Sequence, residues 1–161
     1  MNHLQIPINS VVDTFTCKIG KNPKIWNFVN IYNYTVIGDN CKVGSYTEIS
    51  GAKIGNNVNI SAKCFIPEGV TIEDNVMIGP GVHFTHEFPP VPKNKWKPIL
   101  VKKGAFLGSG CIILPGVTVN AGATVGAGAV VTKSVPRGST WAGVPASATK
   151  KPGRKKKNGN K

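Results

Sequence analysis

Residues 99–132 read ILVKKGAFLGSGCIILPGVTVNAGATVGAGAVVT, and a count of six runs through them. Val101, Leu107, Ile113, Val119, Val125 and Val131 stand six apart. Upstream the same count gives Ile54, Ile60, Ile66, Ile72, Ile78 and Phe84. One residue out of step it gives Ile19, Ile25, Ile31, Ile37, Val43 and Ile49. Two residues before each lies a second series of mostly small or β-branched side chains, from Cys17 to Ala129. Side chains two apart point the same way from an extended chain. Each hexad is therefore a short strand with one large and one small inward residue. A glycine often follows the large one, as at Gly20, Gly38, Gly44, Gly55, Gly79, Gly108 and Gly126, and is expected to supply the unusual dihedrals of a turn.

Strands this short cannot bury an apolar face alone, so the hexads must stack. Three hexads close one coil of 18 residues, which predicts an all-β fold, a parallel β-helix of triangular section. The eighteen hexads make about six coils, rising by roughly 25–30 Å at ~4.8 Å per coil. The count breaks most widely at residues 85–100, THEFPPVPKNKWKPIL, which predicts one extruded loop. A loop of that length without an element of its own is usually functional. The division expected is an N-terminal segment 1–16, a β-helix 17–148 and a tail 149–161.

Composition agrees with this reading. Gly (19) and Pro (12) make nearly a fifth of the 161 residues, which excludes a helical bundle. No run of 18 apolar residues exists for a membrane-spanning helix, and the first residues lack the pattern of a secretory signal, so the cytoplasm is the expected compartment. Net charge is +13, and seven of the 20 Lys and Arg lie in 150–161 without an acid. That tail cannot bury itself and is expected to be disordered. It reads either as a solvated terminus or as an anchor for anions, and carries no aromatic residue for stacking on nucleic acid. Cys17, Cys41, Cys64 and Cys111 all fall at small inward positions without C-x-x-C spacing, so they read as buried hydrophobes rather than zinc ligands or nucleophiles.

These hexads resemble the left-handed β-helix of the hexapeptide-repeat acyltransferases. The resemblance covers residues 17 to about 148. Gly122–Pro136 is similar to that family's last coil, and Trp141-Ala142-Gly143-Val144-Pro145-Ala146 to its exit motif. Ile25-Trp26-Asn27-Phe28, Phe84-Thr85-His86, Trp96 and Val101–Ala105 resemble one branch, which acetylates nucleotide-linked amino sugars for surface polysaccharides. This chain departs from the branch in having His86 where Asn is usual. The resemblance implies a homotrimer with acetyl-CoA in the cleft between prisms and an amino sugar linked to UDP or dTDP as acceptor. The interior is filled, so function belongs on outer faces and loops.

Acetyl transfer from a thioester needs a placed nucleophile, a proton acceptor and donors for the oxyanion. Of three histidines, His83 points outward and His86 stands where the loop begins. His86 is the first candidate for base or for orienting the amine, and His83 the second. Glu87 would hold the ring, bond the sugar or be a solvated acid. Trp96 would cover the acceptor or pack on a neighbouring prism, and Lys93, Lys95 and Lys97 would meet a diphosphate. Gly108-Ser109-Gly110 and Gly126-Ala127-Gly128 are 18 apart and stack on one corner, where their N–H groups would meet pantetheine and the thioester oxygen. By resemblance Ala127, Lys133, Arg137 and Pro145 line the CoA arm. Trp26, Asn27 and Asn33 suggest a patch for the acceptor nucleotide, or a trimer contact. No metal is required: the zinc site of the carbonic-anhydrase branch needs three histidines, and only two are suitably placed. The alternatives are an O-acetyltransferase of a sugar or small alcohol and a non-catalytic β-helix scaffold.

Overall fold

The computed structural model describes residues 6, 7, 9–86, 92 and 95–149. Its short strands form three parallel sheets, the faces of a triangular prism. Face one stacks Val11–Val12, Asn30–Tyr32, Glu48–Ser50, Phe65–Ile66, His83–Phe84, Ile112–Ile113 and Val130–Val131. Face two runs from Lys18–Ile19 to Thr118–Val119, and face three from Lys24–Ile25 to Thr140–Ala142. The chain passes from face one to two to three and back, making about seven coils consistent with a left-handed β-helix. The seventh was not legible in the period. Val11–Val12 pairs parallel with Asn30–Ile31, and Ser10 ties that strand down by donating to the Trp26 carbonyl and accepting from the Val29 N–H.

Both inward series are as expected. From Val29 to Val131 the large and small positions are buried, Phe84 included. Ile19 and Ile25 are half-buried because they close the open end of the stack. Cys41, Cys64 and Cys111 are buried, Cys17 is half-buried, and all four are free thiols. The loop is narrower than 85–100, since Ile99–Val101 already pairs with Val70–Ile72. At the far end Thr140–Ala142 turns back on Ser147–Ala148 as an antiparallel pair, closing the last coil.

The glycines after the large residues do a different job from the one expected. None of the seven has positive φ. Each is needed because the next coil passes too close for a side chain. A Cβ on Gly108 would lie 2.5 Å from the Ala127 backbone nitrogen, and one on Gly44 2.5 Å from that of Ala62. Positive φ falls two residues later, at Asn22, Asn40, Tyr46, Asn57, Gly81, Gly110 and Gly128. The two glycine classes should therefore respond differently to substitution. Gly108→Ala is expected to lose about 1–3 kcal/mol through overpacking. Gly122→Asn, with open space at its Cβ and asparagines at the same turn position below it, should stay within about 0.5 kcal/mol. Urea unfolding of both variants checks this.

Candidate functional site

The three corners carry different chemistry. At the corner between faces two and three, the lower coils are capped by a side chain from the coil above, and Lys103 higher up donates to Glu73. Asp39 Oδ1 accepts from the Lys21 N–H at 2.7 Å, Asn56 Oδ1 from Asp39 at 2.8 Å, and Asp74 Oδ1 from Asn56 at 2.7 Å. At the corner between faces three and one the equivalent residues are Ser45, Ala62, Pro80, Ser109 and Ala127, none with a carboxylate or amide to offer. Among the described residues the Ser109 and Ala127 N–H groups have no acceptor. Gly110 and Gly128, expected as open donors, are not: Gly110 donates to the Pro80 carbonyl and Gly128 to that of Ser109, both at 2.8 Å. These bonds hold successive coils together, so the open donors are the residues between the glycines.

Pro145 lies above this same corner, because Val130 donates to Gly143 and Ala146 donates to Val130 across it. Ser109, Gly110, Ala127, Gly128 and Pro145 thus form one column. Lys133 and Arg137 do not join it. Both are exposed, but Lys133 is on the corner between faces one and two and Arg137 on the corner between faces two and three.

The two histidines flank the Phe65 ring, each with its centroid 6.4 Å away. His83 is exposed on face one. Its Nδ1 lies 3.0 Å from the Gly81 carbonyl, which can only accept, so Nδ1 carries the proton and Nε2 is left as an acceptor. Gly81, at the turn that leads into this strand, offers no side chain. His86 is half-buried at the corner between faces one and two, stacked on Trp96 with centroids 5.0 Å apart. The pair borders a cavity of about 150 Å³ with Glu68, Thr85 and Lys97. Glu87 and Lys93 lie outside the described residues, as do residues 150–161. Glu68 was missed, although it stands 18 residues before His86 and so one coil beneath it.

Trp26, Asn27 and Asn33 are not one patch. Trp26 and Asn27 start the column between faces three and one, with Trp26 47% exposed. Asn33 is on the next corner, its amide 3.4 Å from the Ser50 hydroxyl. No group of three or more His, Cys, Asp or Glu among the described residues could hold a metal ion. No helix among them is long and apolar enough to cross a membrane.

Stacked coils of three six-residue repeats, an extruded loop and a glycine-rich corner define the class of the hexapeptide transferases. The family model described as bacterial transferase hexapeptide (six repeats) matches residues 16–51, 51–86 and 98–133, and the chain belongs to that family. Nodulation protein L of Rhizobium meliloti is 44% identical over 102 residues, covering 58% of this chain and 56% of that protein. The hexapeptide-repeat acetyltransferase VCA0836 of Vibrio cholerae, solved with acetyl coenzyme A, is 26% identical with a TM-score of 0.60, covering 71% of this chain and 69% of that one. A variant of AntD, an N-acyltransferase from Bacillus cereus solved with dTDP-4-amino-4,6-dideoxyglucose and coenzyme A, shares the fold at 19% identity and a TM-score of 0.59, covering 89% of this chain and 77% of that one. Curated relatives are longer: the chain spans 20% of one and 56% of another.

The cysteines stay outside the chemistry. Burial pushes the Cys111 thiol up to about 12 from the usual 9.0 and raises those of Cys41 and Cys64. A thiol whose folded value is raised keeps its proton where the unfolded chain has lost it. Its contribution to stability is therefore complete below pH 9 and falls as pH rises toward 12. Iodoacetamide at pH 8 should leave Cys111 unmodified in the folded protein and label it in urea, read by mass spectrometry.

Proposed function

We propose that this chain is an acetyl-CoA-dependent acetyltransferase acting on the amino group of a nucleotide-linked amino sugar, working as a cytoplasmic homotrimer in surface-glycan synthesis. The observation that carries the reading is the corner between faces three and one, where among the described residues the Ser109 and Ala127 N–H groups have no acceptor and stand in the coils above His83. Membership of the hexapeptide transferase family and the acetyl-CoA bound to VCA0836 support the donor. The amino sugar bound to AntD supports the acceptor class.

In this reading acetyl-CoA lies along the column from Pro145 to Ser109, with its pantetheine amides at Ala127. The neutral amine attacks the thioester carbon and a C–N bond forms. The Ser109 N–H donates to the oxyanion. His83 Nε2 takes the proton released by the nitrogen, the C–S bond breaks, and the imidazolium returns that proton to the departing thiolate. His83 takes precedence over His86 as base because it is exposed, has its Nδ1 turned to the Gly81 carbonyl, and stands on face one next to the corner with the open donors. His86 and Trp96 wall the cavity beside Glu68, which takes part of the acceptor, either of the same prism or of its neighbour in the trimer.

A thiol-release assay with acetyl-CoA and UDP- and dTDP-linked 3-amino and 4-amino sugars tests this. One acceptor should turn over, and His83→Ala should lower kcat by about 10²-fold or more. Ser109→Pro removes one N–H at a turn position where Pro80 already stands a coil below, so it should fold and lose about 10²-fold in kcat. Thiol release with alcohols but with no amine would make the chain an O-acetyltransferase. No binding of acetyl-CoA would leave a scaffold and end the proposal.

A further inference from the structure

The left-handed turn position can be compared between two corners of the same prism. Between faces two and three it is filled, coil by coil, by Asn22, Asn40, Asn57, Asn75, Gly104, Gly122 and Gly138, all with φ between 53° and 68°. Asparagine and glycine are the residues that tolerate this backbone most cheaply. Between faces three and one the same position holds Phe28, Tyr46, Lys63, Gly81, Gly110 and Gly128, with φ between 59° and 69°. Two bulky aromatic residues and a lysine stand where the neighbouring corner has only asparagine. A left-handed bulky residue is a backbone outlier, and such strain gathers at ligand sites.

The side chains do not recover that cost by burial. Phe28 is 44% and Tyr46 59% exposed. Their rings stack on each other, 4.9 Å apart and 11° from parallel, and border an open groove of about 320 Å³ with Asn30 and Glu48 on its polar side. The Glu48 carboxylate is held in place by the Tyr32 hydroxyl, which donates to it. A flat apolar wall with an amide and a carboxylate at its edge suits a planar heterocycle that carries N–H donors. Going up face one from this groove, the outward residues are Asn30, Glu48, Phe65 and His83 in register. His83 is two coils above Tyr46, about 10 Å at ~4.8 Å per coil. Lys63 sits between them at the corner, exposed.

We infer that the corner between faces three and one is a single substrate track whose lower end is a nucleobase subsite. The base of the acceptor stacks on the Phe28–Tyr46 pair with its edge toward Asn30 and Glu48. Lys63 meets the diphosphate, and the sugar reaches His83 over Gly81, where the missing side chain leaves room. The inference rests on the acetyltransferase reading above and adds the residues that bind the nucleotide. It assigns the aromatic contact to Phe28 and Tyr46 rather than to Trp26, Asn27 and Asn33 as one patch.

Isothermal titration of the full chain with UDP, dTDP and GDP tests it without any acetyl transfer. One of the three should bind, and Tyr46→Asn and Phe28→Asn should each weaken it by about tenfold or more. Both variants should melt no lower than the wild type, because asparagine fits this turn at Asn40 and Asn57. A merely structural pair would show the opposite: lower melting with unchanged binding. Lys63→Met should weaken the diphosphate and leave the corresponding nucleoside unaffected. Unchanged nucleotide binding in both asparagine variants, or no binding of any of the three, overturns the inference. Acetyl-CoA titrated alongside separates the two failures: if it binds and the nucleotides do not, the subsite is wrong and the acetyltransferase reading stands.

Discussion

Everything in this molecule depends on the distance between one coil and the next. Backbone N–H groups reach across it in every turn, as when Gly108 donates to Val125 at 2.8 Å and Gly126 to Trp141 at 2.7 Å. A hydrogen bond of that length fixes the rise. The rise in turn decides which residues can stand at each corner. Where glycine follows the large inward side chain, the next coil passes so closely that a Cβ would lie under 3.0 Å from it. The aliphatic ladders inside then stack with no further freedom, and the interior holds no ligand.

That constraint turns the corners into the functional surface. All of them must satisfy the same backbone, so differences between them reflect something other than folding. Asp39, Asn56 and Asp74 close the lower donors of one corner, those of Lys21, Asp39 and Asn56, with their own oxygens. The corner where Ser109 and Ala127 stand leaves its donors open. The turn position there changes from aromatic to cationic to glycine along the prism, while its neighbour changes only from asparagine to glycine. Uncapped donors and strained aromatics both carry a cost, which a substrate bound as proposed would offset.

Much of the fold was legible because its signal is a period. Inward residues, the parallel pairing and the loop all follow from counting by six. What the count could not show is where the backbone takes its unusual turn. Gly108 and Gly110 look alike in the sequence, but one avoids a clash and the other adopts positive φ. The extra strand at Val11–Val12 lacked the hexad spacing, and its place depends on the Ser10 hydroxyl. The site was legible in part. The 18-residue period brings Ser109 over Pro80 and Ala127 over Ser109, yet it also shows that Lys133 and Arg137 belong to other corners. Counting back 18 from His86 reaches Glu68, and following the turn position down from Gly81 reaches Lys63, Tyr46 and Phe28. Those residues were not legible from residue type, because only the register between coils aligns them.

In the proposed function the corner with open donors receives the thioester. Amide hydrogen exchange of the full chain, followed by NMR with and without acetyl-CoA, measures it at single residues. The account predicts that acetyl-CoA slows exchange at the Ser109 and Ala127 amides, while Lys21, Asp39 and Asn56, already capped on the other corner, do not change. Protection confined to that capped corner, or none at Ser109 and Ala127 when acetyl-CoA is saturating, would contradict it.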